Sequence, residues 1–169
     1  PEYRAMNPNG TVPTIDDEGF TLWESNVIVR YLSMKYAPDR MYGNDVQTFS
    51  SASRWMDWEQ SQFLPEQHIL VMNLVRLPSE ERSADAVEAA RLSLLKPLSI
   101  IEAQLSKTEY IAADSFTMGD IPIGMRVHRW FLFDLESPHM PNLERWYKAI
   151  QERPAFKKHI ADPALHLSG

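Results

Sequence analysis

Apolar and polar positions follow two different rhythms along the chain, and the change falls near residue 24. Before it, Thr11 to Ile15 reads as a short strand interrupted by Pro13, and Phe20 to Trp23 as a second. Asn7-Pro8-Asn9-Gly10 ahead of them is a turn signal, because Gly10 tolerates positive φ and Pro8 fixes its own. Asp16-Asp17-Glu18-Gly19 reads as the polar turn between the strands, which predicts a β-hairpin. From Ser25 the spacing becomes helical. Val27, Ile28, Tyr31 and Leu32 mark one side of a helix to about Tyr36, with Ser25 as its N-cap.

Ala37-Pro38-Asp39-Arg40 stops that helix, and residues 38–47 read as a linker. Everything beyond reads as helix. One segment runs from about Thr48 to Leu74 with Trp55, Trp58 and Phe63, kinked at Pro65. A second runs from about Ser83 to Leu105, with apolar residues every three or four positions and a bend expected at Pro97. A third opens at Thr117-Met118-Gly119-Asp120 in a capping-box arrangement and carries Ile121, Met125, Trp130 and Phe131 inward. A fourth follows Pro141-Asn142 with Leu143, Trp146, Tyr147 and Ile150, an i, i+3, i+4, i+7 stripe. Arg153-Pro154-Ala155-Phe156 ends it and begins a short last helix. A hairpin covered by one helix is marginal alone and leaves an open strand edge, so the front section reads as the back half of a small α/β unit.

Composition narrows the picture. With 169 residues, 44% hydrophobic and 24% charged, the chain is an ordinary globular one. A net charge of −6 with scattered basic residues argues against a nucleic-acid partner, and no apolar run reaches the ~20 residues that span a bilayer. Zero cysteines exclude disulfides, Cys-ligated zinc and a Cys nucleophile within these residues. The five histidines show no metal-ligand spacing and read as surface or capping residues, so no metal is expected. The first residue, Pro1, is not Met, which suggests a longer product.

The ordered stretches Asn7-Pro8-Asn9-Gly10-Thr11-Val12-Pro13-Thr14-Ile15 and Leu22-Trp23-Glu24-Ser25-Asn26-Val27-Ile28 resemble the second half of the thioredoxin-like domain of cytosolic glutathione transferases, of bacterial type. The likeness continues through Arg54-Trp55-Met56-Asp57-Trp58, Phe116-Thr117-Met118-Gly119-Asp120-Ile121 and Arg153-Pro154-Ala155-Phe156, nearly the whole chain. It implies an α+β fold: residues 1–37 the back half of the glutathione-binding domain, 38–47 a linker, and 48–169 an all-helical C-terminal domain. Pro13, in an otherwise strand-like run, is a candidate cis residue.

By this resemblance Val12 offers its N–H and C=O to the cysteinyl part of glutathione, ahead of Pro13, like one rung of a β-ladder. Ser25 and the helix amides would hold the γ-glutamyl carboxylate, and Glu24 the ammonium. In isolation the same residues read as an edge-strand proline and an ordinary N-cap beside a solvated acid. Thr11 stands where many members carry Lys, Gln or His near the glycyl carboxylate. The family's thiol-activating Ser, Tyr or Cys lies in a segment expected before Pro1, so the catalytic residue is unassigned and this polypeptide alone is expected to be inactive. Phe63, Met125, Arg126 and Arg129 stand on the helices that line the acceptor pocket in the family, although core packing and solvated charge are the plainer readings. Asp57 and Glu59 are candidates to face a neighbouring subunit's ligand site.

The expected function is transfer of glutathione, the co-substrate, to a small hydrophobic electrophile, by a cytoplasmic homodimer engaged in detoxification. The alternative is a non-catalytic module of the same fold used in protein assembly.

Overall fold

The computed structural model describes residues 2–42 and 45–161. Gly43 and Asn44 of the expected linker, and the end of the expected helical domain with His166, lie outside the described residues. The chain opens with a short helix that turn chemistry did not announce, α1 (Glu2–Met6). The turn after it is built as expected: Gly10 takes φ 69°, and its N–H donates to the Asn7 carbonyl at 3.0 Å.

Two antiparallel strands follow, β1 (Thr14–Asp17) and β2 (Phe20–Trp23), in register from Thr14 opposite Trp23 to Asp17 opposite Phe20. β1 begins only after Pro13 and runs on through Asp17, so the turn is Glu18-Gly19 alone. Both turn residues have positive φ, 57° and 88°, the handedness that suits a two-residue hairpin loop.

α2 (Ser25–Tyr36) lies against the hairpin. Its N-cap is Glu24 rather than Ser25, which is already the first helical residue, and no side chain caps the end. Asp17 ties strand to helix, accepting from Tyr31 Oη and Tyr36 Oη, each at 2.7 Å, and from Lys35 Nζ at 2.8 Å. These donors hold the Asp17 carboxyl down at about pH 2, Lys35 contributing most. The stretch read as linker contains a one-turn helix, α3 (Pro38–Met41), with proline in its first turn.

The rest is helical. The expected 48–74 helix is divided: α4 (Val46–Gln62) ends before Pro65, α5 (Leu64–Val71) carries that proline in its first turn, and a π turn (Met72–Arg76) follows. α6 (Ala84–Leu105) runs through the buried Pro97 as one helix. α7 (Asp120–Leu132), α8 (Pro141–Gln151) and α9 (Pro154–His159) complete the bundle. Caps are local and charged. Asp45 accepts from Thr48 N at 2.8 Å, and Ser83 from Ala86 N at 3.1 Å. Glu102, from α6, accepts from Leu143 N at 2.7 Å and holds the start of α8.

The main core lies among α4 to α9, with Phe63, Leu70, Leu94, Leu98, Ile123, Trp130 and Trp146 enclosed. All four residues of the α8 stripe are buried, as their spacing predicts. α7 is rotated from its expected face. Ile123, Val127 and Trp130 are buried, whereas Ile121 and Met125 are half-buried and Phe131 is exposed. A smaller cluster of Ala52, Met56 and Met118, flanked by Val29, Tyr42 and Phe49, joins the front unit to the bundle.

Candidate functional site

The four residues singled out by sequence meet at one end of the hairpin. Because Thr14 pairs with Trp23, the chain entering β1 through Val12 and Pro13 lies beside the chain leaving β2 through Glu24 into Ser25. The peptide bond between Val12 and Pro13 is cis. Val12 is 84% exposed, and Pro13, Glu24 and Ser25 are exposed as well.

Beneath this open end the loop is tightly fixed. The Asn7 side chain is buried. Its Nδ2 donates to the Thr11 carbonyl at 2.7 Å and to Thr14 Oγ1 at 3.1 Å. Its Oδ1 accepts from Asn9 N at 3.0 Å. Tyr3 Oη donates to the same Thr11 carbonyl at 2.6 Å and lies 2.8 Å from Thr14 Oγ1. Thr11 and Thr14 are thus clamped on both sides of the exposed Val12, so its backbone is presented in one conformation. Sequence spacing did not suggest the Asn7 and Tyr3 clamp, because neither residue has a pattern of its own.

The helix side is equally particular. Glu24 sits at φ 73°, ψ 113°, which costs an L-residue on the order of 1–3 kcal/mol and is typically retained at functional positions. The first helical bond runs from Ile28 N to the Glu24 carbonyl at 2.9 Å. The N–H groups of Ser25, Asn26 and Val27 therefore have no acceptor within the helix, and they point out of a terminus carrying partial positive charge. Buried Asn26 anchors this end by donating to the Met56 carbonyl of α4 at 2.7 Å.

The other candidates separate. Phe63 is fully buried core. Met125 borders an apolar cavity of about 340 Å³ formed with Phe116, Ile121, Ile150, Phe156 and their neighbours. Arg126 is not a solvated charge: its Nε donates to Glu59, which is only 1% exposed, and its carbonyl accepts from Gln67 Nε2 at 2.7 Å. Glu59 therefore points into its own bundle and cannot face a second subunit. Asp57 does stay at the surface, paired with Arg30. His128, read as a surface residue, is buried, with Nδ1 2.6 Å from Tyr147 Oη. No group of carboxylates and histidines suited to a metal ion occurs among the described residues.

Known proteins share this arrangement. Residues 1–34 match the glutathione S-transferase N-terminal domain and residues 64–154 the C-terminal domain. Glutathione S-transferase GstB of Escherichia coli is 36% identical over 96% of this chain and 79% of its own length. Glutathione S-transferase 3 of Zea mays is 33% identical over 95% and 75% respectively. The theta class glutathione S-transferase of Xanthomonas axonopodis pv. citri, solved with glutathione bound, superposes with a TM-score of 0.90. It is 39% identical, over 96% of this chain and 78% of that one. With both domains matched in order and this identity sustained along nearly its whole length, the chain belongs to the glutathione S-transferase family.

Proposed function

We propose that this glutathione transferase grips its co-substrate at the open end of the hairpin. The Val12 N–H and C=O pair with the cysteinyl unit as an added strand would. The Ser25 hydroxyl and the first amides of α2 take the γ-glutamyl carboxylate, and the Glu24 carboxylate takes the ammonium. The reaction forms a bond from the glutathione sulfur to a small hydrophobic electrophile. It needs the thiolate, which a nearby hydroxyl donor favours by stabilising the anion. No residue of this chain is given that role.

One observation carries the reading: the Thr14–Trp23 register brings an exposed, clamped backbone segment and an uncapped helix terminus side by side. The first has an unused donor and acceptor, and the second suits an anion, so together they match a peptide with a free carboxylate. The glutathione-bound Xanthomonas relative supports the choice of peptide.

The same reading divides the chain as residues 1–37, 38–47 and 48–169, places it in the cytoplasm and makes it a homodimer. Exposed Val27, Leu32, Met34 and Tyr36 on α2 supply an apolar surface consistent with a second copy. No helix among the described residues is long and apolar enough to cross a membrane.

Titration of the protein with glutathione in a calorimeter, beside Ser25→Ala, tests the site. Saturable binding weakened by the substitution is expected. Equal affinity for the two proteins overturns the assignment, and no binding by either favours an assembly module.

A further inference from the structure

A second site lies away from the hairpin, where α5 and the π turn face α7. A cavity of about 260 Å³ opens there, and three arginines border it: Arg76 from the π turn and Arg126 and Arg129 from α7. Its walls include Leu64, Val71 and Met72, with the Gln67 amide at one side. A pocket of this size takes a small molecule rather than a peptide.

The charges do not balance. Glu59 is committed to Arg126, its oxygen accepting from that guanidinium while itself buried. Gln67 Oε1 accepts from Arg126 Nη1 at 3.4 Å. Among the described residues, the ion pairs involve Arg30, Lys35, Arg91, Arg126, His139, Arg145 and Lys157, and neither Arg76 nor Arg129 has one. Arg129 is nonetheless half-buried. Burial, followed by the neighbouring Arg126 and Arg76 charges, disfavours its cationic form, with Glu59 opposing. Three guanidinium groups and one carboxylate thus leave this concave spot strongly positive in a chain of net charge −6. A partly desolvated, uncompensated cation is costly, and an incoming anion removes that cost. Guanidinium groups present planar donor forks that fit the paired oxygens of carboxylate, phosphonate or sulfonate.

We propose that this cavity is a binding site for a small organic anion, its acidic group held by Arg129 and Arg76 and its apolar body against Leu64, Val71 and Met72. Arg126, fixed by Glu59 and Gln67, forms the rigid wall that keeps the other two guanidinium groups facing the cavity. The site is independent of the glutathione assignment and stands or falls without it.

The probe is phenylphosphonate, with neutral phenylmethanol of similar shape as control, titrated into the protein by calorimetry without glutathione. One-to-one binding of phenylphosphonate is expected, at least tenfold tighter than that of phenylmethanol and weakening as salt rises from 50 to 500 mM, about the range over which exposed charges become screened. Arg129→Met should raise the Kd at least tenfold, Arg129→Lys by less, and Arg54→Met, on the surface of α4, by less than twofold. If Arg129→Met fails to fold, Arg76→Gln at the exposed end of the π turn makes the same test. The proposal is overturned if the phosphonate does not saturate, if phenylmethanol binds equally well, or if the Arg129 or Arg76 variant binds like the unaltered protein.

Discussion

Glu24 and Ser25 are neighbours that the structure uses in opposite ways. Ser25 is an unstrained first helical residue whose hydroxyl is available at an exposed terminus. Ser25→Ala should leave the melting temperature almost unchanged while weakening glutathione binding by about 1–3 kcal/mol, the worth of a hydrogen bond to a charged group. Glu24 holds a backbone conformation with φ 73° that glycine adopts freely. Glu24→Gly should therefore separate stability from binding: the melting temperature holds or rises as strain is relieved, while glutathione affinity falls with loss of the carboxylate. Calorimetric titration and a thermal melt of one preparation check both. A lower melting temperature would remove the argument that Glu24 is kept in place for its ligand.

Among the elements, what the sequence made legible was whatever repeats locally. The α8 stripe was readable because four apolar residues at helical spacing have one solution. The Thr117 to Asp120 cap was readable because its partners are three residues apart, and Asp120 Oδ2 does accept from Thr117 N at 2.8 Å. The remaining partners of Asp120 were not, since Ile111 N and Trp146 Nε1, at 2.9 and 2.8 Å, come from elsewhere in the chain. The Glu59–Arg126 pair spans 67 residues and has no local signature, so each charge read as solvated. α1 and α3 are too short for periodicity to show.

These non-local ties are also where elements are most vulnerable. Asp120→Ala leaves buried donors on Ile111, Thr117 and Trp146 unsatisfied and should cost on the order of 3–5 kcal/mol in denaturant unfolding. Asp17 gives a pH-dependent counterpart. Its carboxyl is held near 2 in the folded protein, below the ~4 of an unfolded aspartate, so its contribution is complete above about pH 4. It is lost as pH falls through 2 and the hairpin loses its tie to α2. Melts between pH 5 and pH 2 should show a shallower decline for Asp17→Asn than for the unaltered protein, and parallel curves would refute the assignment.

At the scale of the whole molecule, the hairpin end and the helical bundle act as one body through few contacts. Besides the cluster of Ala52, Met56 and Met118, the polar ties are Asn26 to Met56 O and Arg30 to Ser53 O at 3.1 Å. The surface at Gly119 is close enough to α4 that an added Cβ would lie 3.1 Å from Ala52 backbone atoms, so the packing there has no slack. Asn26 is the instructive member. It is 4% exposed, cannot touch a ligand lying over the helix end, and yet fixes where that end sits relative to α4. Asn26→Ala should leave the Met56 carbonyl buried and unpaired, at about 1–3 kcal/mol, and free the first turn of α2 to shift. Two readouts follow. Amide hydrogen exchange should quicken in α2 more than in α6 or α8, because the broken tie belongs to the front unit. Glutathione affinity should fall although every contacting group is still present, and Asn26→Asp, which cannot donate to Met56 O, should not restore it. Uniform acceleration of exchange across all three helices, with affinity intact, would show that Asn26 only adds to global stability and that the site is held by the Asn7 and Tyr3 clamp without help from α4.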